Sequence, residues 1–254
     1  MARRISSTDN VSFASQSRFN TTGWNSVFVW FRDHNNSVDD VLFTGRVTSM
    51  FASDGFVLAR GGPLGGSTAK VYAGVAGTYS GAGTAGVGDG GWHNAGLMFD
   101  VAASANAEVW VNGSQDKTFV HGALTWGSVP ITIGFLTGGG SGDRTVAEVA
   151  WWNTNLNARE WSALNKGVHP SRIRPESLIF LSPCWGLHSP EIELSSSHAP
   201  TGTVTGTSVV NGPPVTLFTP KRTIAYIADN ALPYTRLERG IRGMNRGMNA
   251  GGYR

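Results

Sequence analysis

The sequence predicts an all-β protein, an antiparallel two-sheet sandwich that carries one short helix. Apolar runs of four to seven residues recur between positions rich in Gly, Asp, Asn and Ser, the spacing of strands and turns in a sandwich. No helical pattern alternates with these runs, as a parallel α/β sheet would require. Charged residues make up 15% of the chain and glycine occupies 34 of 254 positions, a composition that also favours a β-sandwich.

The apolar runs give the positions of the expected strands. The eight clearest are "VFVWF" (27–31), "VLFT" (41–44), "GFVLA" (55–59), "KVYAGV" (70–75), "GLMFD" (96–100), "EVWVN" (108–112), "ITIGF" (131–135) and "VAEVAWW" (146–152). Later strands are expected at 178–181, in "TLFT" (216–219) and in "RTIAYIA" (222–228).

The segment "AEVWVNGSQ" predicts a hairpin. Asn112 and Gly113 both tolerate a positive φ, which a tight hairpin turn needs. Side chains alternate along a strand, so Val109 faces the core while Trp110 faces outward. An outward tryptophan implies a partner, a glycan or an overlying segment.

One short helix is expected at about 158–166. Asn157 and Glu160 have the spacing of a capping box, and Leu156 and Trp161 that of a hydrophobic staple. Gly167 then provides a stop. The helix follows the run that ends in Trp152, so we expect it to fold back onto the sheet.

The chain divides into four expected segments. Residues 1–19 are expected to form an N-terminal arm, and residues 20–182 the sandwich. Residues 183–220 are rich in Ser, Thr, Gly and Pro, which predicts a loop region. From Lys221 onward seven basic residues stand against two acidic ones, so residues 221–254 are expected to form a basic, glycine-rich C-terminal arm.

Other features narrow the class of protein. The single cysteine, Cys184, excludes an internal disulfide and is expected to be a small buried side chain. The N-terminus contains two arginines without the apolar stretch of a signal peptide, and no apolar run approaches the length of roughly 18 residues that a membrane span needs. Synthesis in a reducing cytoplasm is expected.

Three segments in order carry a resemblance to a known family. "GWHNAGLMFD", "AEVWVNGSQ" and "AEVAWWNTNLNAREWSALNKG" resemble consecutive elements of laminin-G-like domains. Residues 20–168 therefore resemble the concanavalin A-like lectin/laminin-G superfamily, which implies a two-sheet jelly roll. Many relatives have Asp where this chain has Glu148, which weakens any transfer of a bound ion.

A body of this kind followed by "GVHPSRIRPESL", a Pro-rich region and a loose tail also resembles structural proteins of tailed bacteriophages. That resemblance implies a non-enzymatic virion protein, a capsid decoration or cement subunit made in a bacterial host. Its termini would bind neighbouring shell proteins, and a homo-oligomer, either a dimer or a trimer, is expected. The expected partner-binding residues are Arg3, Arg4, Arg236, Arg239, Arg242, Arg246 and Arg254.

Two other functions remain open. One is a glycan-binding module of a tail fibre or adhesin, with Trp110 as its surface. The other is a sandwich-fold glycoside hydrolase, which needs two carboxylates flanking the scissile bond. The motif E-x-D-x-x-E is absent, and Glu108 and Glu148 lie on separate strands, so no catalytic residue is predicted.

No cofactor is expected. "GAGTAG" (81–86) matches a dinucleotide motif formally but is followed by a loop and a strand instead of a helix. No two histidines have metal-ligand spacing, and His93 is expected to be packed or to cap a turn. Calcium stays an alternative because Asp39, Asp40, Asp89 and Asp143 lie in loops. No nucleic-acid partner is expected, since the body has no basic face. No membrane partner is expected either, since no apolar run is long enough to span one.

Overall fold

A computed structural model gives the architecture of the chain. It describes residues 1–6, 8–34, 40–45, 47, 49, 52–61, 69–101, 106–134, 142–185, 190–195 and 201–215. The chain divides into two units, Met1–Thr216 and Leu217–Arg254, and the described residues all belong to the first. The second unit lies outside the described residues, and so do the strands expected at 216–219 and 222–228.

Two antiparallel sheets form the first unit. In the described residues the first sheet has eight strands, in the order β10-β9-β8-β3-β12-β1-β15, with β13 also paired to β12. Its strands are β1 (Ala2–Ser6), β3 (Trp24–Asp33), β8 (Trp92–Asp100), β9 (Asn106–Val111), β10 (Ser114–Val120), β12 (Asp143–Trp152), β13 (Leu178–Ser182) and β15 (Ser208–Val210).

The second sheet has seven strands within the described residues, in the order β14-β2-β11-β4-β5-β6-β7. They are β2 (Asn10–Phe13), β4 (Asp40–Gly45), β5 (Phe56–Arg60), β6 (Val71–Val75), β7 (Thr78–Tyr79), β11 (Ile131–Gly134) and β14 (Gly202–Thr205). The two sheets face each other across a shared apolar core, so the expected sandwich is confirmed.

The expected strands and turn agree with this structure. All eight clear runs lie largely in β3, β4, β5, β6, β8, β9, β11 and β12. Asn112 and Gly113 connect β9 and β10 with φ values of 50° and 76°, as the hairpin requires. Trp151 packs between the sheets while its neighbour Trp152 packs on the outer face of the first sheet, which is the expected alternation.

The expected ends of the sandwich need correction. Residues 1–19, expected as an arm, contribute β1, which pairs with β12, and β2, which pairs with β11. The expected loop region contributes β14, paired with β2, and β15, paired with β1. Each of these strands pairs its backbone groups with those at the edge of a neighbouring strand, so that edge is not left exposed. Pairing between segments that are distant in the chain leaves no local pattern in the sequence.

A single helix, α1 (Ala158–Asn165), covers part of the outer face of the first sheet. Asn157 caps it, and Glu160 returns a bond to the Asn157 backbone, so the capping box is confirmed. Gly167 follows with a φ of 83°. Leu156 and Trp161 are both buried in the cluster between α1 and the sheet, as the staple predicts.

Gly96 in β8 lets the helix lie close to the sheet. A Cβ at this position would lie 2.3 Å from the Trp161 ring. Trp161 stacks on Trp110 of β9, with ring centroids 5.4 Å apart. The Trp161 indole therefore fills the space that a side chain at residue 96 would occupy. No helix among the described residues is long and apolar enough to cross a membrane.

We expect Gly96→Ala to destabilise the protein by about 1–3 kcal/mol, because the added methyl group would force Trp161 out of its packed position. Gly86→Ala is the matched control, since a Cβ there meets no atom within 4 Å. The control should change stability by less than about 0.5 kcal/mol. Urea unfolding of both variants measures the difference, and equal midpoints would contradict this packing.

Candidate functional site

Arg3 and Arg4 lie in β1, and their side chains have different surroundings. Arg3 is 3% exposed; its guanidinium binds the Glu191 carboxylate and donates to Thr207 Oγ1 at 2.6 Å. Arg4 pairs with Asp143 in a bidentate contact, and its side chain is 45% exposed. Arg3 therefore links β1 to the segments near residues 191 and 207. Its side chain is buried within the sandwich and is not exposed for binding a partner. Arg236, Arg239, Arg242, Arg246 and Arg254 lie outside the described residues.

Trp110, expected as an exposed glycan or partner surface, is covered. It faces outward from the first sheet, as alternation predicts, but it is 8% exposed because Trp161 of α1 stacks on it. Its indole Nε1 donates to Glu108 at 3.1 Å. Of the three explanations that an outward tryptophan allows, the overlying segment is the one that the structure contains.

Glu148 lies at a bulge in the middle of β12. Its backbone has a φ of 50°, and the register to β3 shifts between Ala147 and Ala150. Its carboxylate, 2% exposed, accepts from the Trp185 indole at 3.1 Å and lies 3.0 Å from His169 Nε2. The structure therefore buries the Glu148 carboxylate at the bulge, beside Trp185 and His169.

His93 takes part in a polar chain that holds the β9–β10 turn. His93 Nε2 lies 2.7 Å from Asp89 Oδ1, and its Nδ1 lies 3.0 Å from the Asn112 amide. The bond from His93 lowers the pKa of Asp89. Asn94 beside it donates to Asn165 at the end of α1, at 2.8 Å. His93 is thus packed and structural, as expected.

Four buried charged side chains, two from each sheet, form ion pairs between the sheets. Arg60 Nη2 lies 2.7 Å from Asp33, and Arg144 Nη1 donates to Asp40 at 2.9 Å. Arg60 also lies 3.4 Å from Asp40, and all four residues are at most 3% exposed. Burial raises the pKa of Asp40 to about 6, although both arginines act in the opposite direction.

The aspartates considered for calcium have other partners. Asp40 belongs to the buried charged group, Asp89 binds His93 and Asp143 binds Arg4, while Asp39 lies outside the described residues. Within the described part of the chain, no three His, Cys, Asp or Glu side chains are grouped as metal ligands. Cys184 is free and fully buried, as expected, and burial raises the pKa of its thiol.

An open polar cleft of about 370 Å³ lies where β3 begins and β12 ends. Seven described residues line it: Ser17, Arg18, Asn20, Thr21, Thr22, Gly23 and Asn153. The first of them form a 3-10 turn, Ser17–Phe19, whose Phe19 is fully buried and stacks on Trp151 with centroids 5.6 Å apart. The core therefore fixes the base of the cleft.

Hydrogen bonds hold the wall of the cleft. Arg18 lies over the Phe19 ring and pairs with Glu193 at 2.7 Å. Thr21 donates to Asn25 at 2.8 Å, and its carbonyl accepts from the Trp126 indole at 2.9 Å. These contacts fix the position of the wall before any ligand arrives.

The rim of the cleft has polar groups free to bind. The side chains of Ser17, Asn20, Thr22 and Asn153 are exposed and have no hydrogen bond to the described residues. Together they offer hydroxyl groups and two amides, each able to donate and accept. The described lining contains no Asp or Glu, and its charged side chain, Arg18, is paired with Glu193. No local signal in the sequence predicts this cleft, since "SRFNTTG" shows neither periodicity nor a motif.

Comparisons with known proteins place the fold. No family model and no curated protein matches the sequence. Among solved structures, a putative carbohydrate-binding protein from Bacteroides ovatus is 13% identical to this chain and has a TM-score of 0.61. The match covers 85% of this chain and 62% of the Bacteroides ovatus protein. The chain folds as a lectin-like jelly roll.

A second solved structure is less similar to this jelly roll. The receptor-binding domain of a botulinum neurotoxin C/D mosaic serotype is 12% identical and has a TM-score of 0.47, too low to support an inference. The match covers 65% of this chain and 42% of that domain. The expected two-sheet jelly-roll fold is confirmed, whereas the phage resemblance stays a prediction.

Replacing Arg3 should be far more damaging than replacing Arg4. We expect Arg3→Ala to cost about 3–5 kcal/mol, because it leaves Glu191 charged and buried without its cation. Arg4→Ala, in an exposed pair, should cost less than about 1 kcal/mol. Guanidinium unfolding of both variants measures the costs, and similar losses would show that the Arg3–Glu191 contact is not a buried ion pair in solution.

Asp40 should titrate near pH 6, well above the ordinary aspartate pKa of about 3.9. At a pH between these two pKa values, Asp40 is protonated in the folded protein and ionised in the unfolded chain. The Asp40 contribution to the free energy of unfolding should therefore decrease as the pH rises through this window. Carboxyl ¹³C NMR, with Asp40→Asn to assign the signal, gives the midpoint, and a midpoint below pH 4 would contradict the expected effect of burial.

Proposed function

We propose that this chain is a non-catalytic carbohydrate-binding module that binds a sugar in the cleft between the start of β3 and the end of β12. The observation that carries the proposal is the cleft itself: fixed walls, free amides and hydroxyls on its rim, and no carboxylate in its described lining. The likeness of the fold to a putative carbohydrate-binding protein supports it.

The chemistry of the rim suits a sugar. Each sugar hydroxyl both donates and accepts, and asparagine amides present a donor and an acceptor side by side. Asn20 and Asn153 come from different segments, so a ring seated between them would be held from two directions. A site of this kind needs only a few well-placed polar groups to fix the orientation of its ligand.

The walls should keep their shape when a sugar binds. Phe19 is anchored in the core, and Arg18 and Thr21 keep partners that no ligand needs to displace. Because little has to be ordered on binding, little of the contact energy is lost to entropy. A cleft of about 370 Å³ matches the lower end of small-molecule sites, which suits one or two sugar residues.

The virion decoration role stays a prediction. Residues 1–19 supply two strands of the sandwich, so they do not support docking as an arm. Docking would have to depend on Leu217–Arg254, which lies outside the described residues. The virion location, the shell partners and the homo-oligomer are therefore kept as predictions, with the glycan-binding module of a tail fibre or adhesin as the alternative to capsid decoration.

We expect the protein to bind a subset of a glycan array, and Asn20→Ala and Asn153→Ala each to weaken binding of the selected sugar about 3- to 10-fold. That range corresponds to the loss of one hydrogen bond each. Isothermal titration with the selected sugar measures the affinities.

Gln115→Ala is the control for these variants, since Gln115 is exposed on the edge strand β10, which β9 and β8 separate from β3. It should bind like the unaltered protein. Unchanged affinity in the Asn20→Ala, Asn153→Ala double variant would show that the sugar does not bind in the cleft. No binding to any glycan on the array would contradict the proposal that the protein binds carbohydrate.

A further inference from the structure

The chain contains two Asn-Gly pairs, and the structure gives them different surroundings. Asn112-Gly113 forms the turn between β9 and β10, whereas Asn211-Gly212 follows directly after β15. An asparagine before a glycine can react with the main chain, because the glycine has no side chain to shield its nitrogen from the asparagine carbonyl carbon. Whether the reaction occurs depends on how freely the side-chain amide and that nitrogen can approach each other.

Hydrogen bonds hold the Asn112 amide at both ends. Its Oδ1 accepts the Asn94 backbone N–H at 3.2 Å, and its Nδ2 lies 3.0 Å from His93 Nδ1. The turn also packs against α1, since a Cβ on Gly113 would lie 2.7 Å from Asn165 Cβ. The Asn112 amide can therefore move toward the Gly113 nitrogen only by breaking these bonds.

The Asn211 amide has none of these restraints. Its side chain is exposed, and no hydrogen bond joins it to any other described residue. The Gly212 N–H likewise donates to no atom in the described part of the chain. The Asn211 side chain can therefore rotate until its carbonyl carbon meets the Gly212 nitrogen, and none of these contacts opposes that approach.

Packing explains why a glycine occupies position 212. A Cβ there would lie 2.6 Å from the Met1 carbonyl oxygen and 2.9 Å from its carbonyl carbon, and main-chain atoms cannot turn aside as the end of a side chain can. The close approach follows from the pairing of β1 with β15, in which Ala2 lies opposite Val210. The fold therefore requires, next to Asn211, the residue that shields its own nitrogen least.

We propose that Asn211 is a self-modification site, at which the folded chain converts its own asparagine to aspartate and isoaspartate. The Gly212 nitrogen loses its proton to hydroxide and adds to Asn211 Cγ. The tetrahedral adduct expels the side-chain nitrogen, which takes a proton from water and leaves as ammonia, so that hydroxide is regenerated and a succinimide remains. Water then opens this ring: attack at Cγ gives aspartate, and attack at the main-chain carbonyl carbon gives isoaspartate.

Both products place a carboxylate beside the paired strands β1 and β15. Val210 and Val215 pack against the cluster on the outer face of the first sheet, so residues 211–214 connect two anchored positions. Isoaspartate adds an atom to the main chain of this short connection, and the two prolines after Gly212 restrict how it can adjust. We therefore expect the added length to disturb the pairing of Ala2 with Val210.

The test follows both Asn-Gly pairs in the full chain. Trypsin places them on separate peptides, residues 71–117 and 173–221, and Asn211 is the only asparagine or glutamine in the second peptide. The folded protein is incubated in mildly alkaline buffer, and the mass gained when an amide becomes a carboxylate is measured for each peptide, with fragmentation to locate it. Asn211 should convert at least about tenfold faster than Asn112.

A variant and an unfolded control separate the effect of the fold from that of the dipeptide. Asn211→Gln keeps an amide but moves its carbonyl carbon one bond further from the Gly212 nitrogen, so the mass gain of peptide 173–221 should disappear. In concentrated urea neither pair keeps its surroundings, so the rates of Asn211 and Asn112 should converge. No mass gain at Asn211, or equal rates for the two asparagines in the folded protein, would overturn the proposal. A difference that persists unchanged in urea would also overturn it, because neighbouring residues and not the fold would then set the rates.

Discussion

The fold depends on the way strand β12 divides one of its edges between two partners. Along one side β12 pairs with β3 over most of its length. Along the other side, residues 143–146 pair with β1 and residues 149–152 pair with β13. The change of partner happens at Glu148, where the backbone takes a positive φ and the strand bulges. Two segments far apart in the chain can therefore share one edge without competing for the same backbone groups.

The bulge also decides where buried charge can lie. An even strand would have continued its alternation through residue 148, whereas the bulge turns the Glu148 carboxylate toward the indole of Trp185 and the imidazole of His169. The other buried charges are paired in the same way, Arg3 with Glu191 and Arg144 with Asp40. Such pairs contribute little net stability compared with apolar packing, but each makes one arrangement of the chain far better than its alternatives. We interpret them as fixing register at the ends of a sandwich whose centre is apolar.

Local signals in the sequence were sufficient for the elements that they govern. The helix could be predicted because Asn157, Glu160 and Gly167 act within one or two turns of the chain. The β9–β10 hairpin could be predicted because Asn112-Gly113 suits only a few turn geometries. Strand β1 could not, since "ARRIS" has two charged residues and the partner that buries Arg3 is Glu191, 188 positions later. The cleft was missed for the same reason: its rim joins the turn at Ser17 to Asn153, and only the folded sheets bring them together.

The pairing of β1 with β15 has a practical consequence for building with this sandwich. Ala2 lies opposite Val210 in the register of the two strands, so the chain enters and leaves the sandwich at neighbouring positions on one edge. A short peptide could bridge residue 215 to residue 1, and new termini could then be opened at the Asn112-Gly113 turn. The same adjacency would allow the sandwich to be spliced into a surface loop of a host protein with little displacement of that loop.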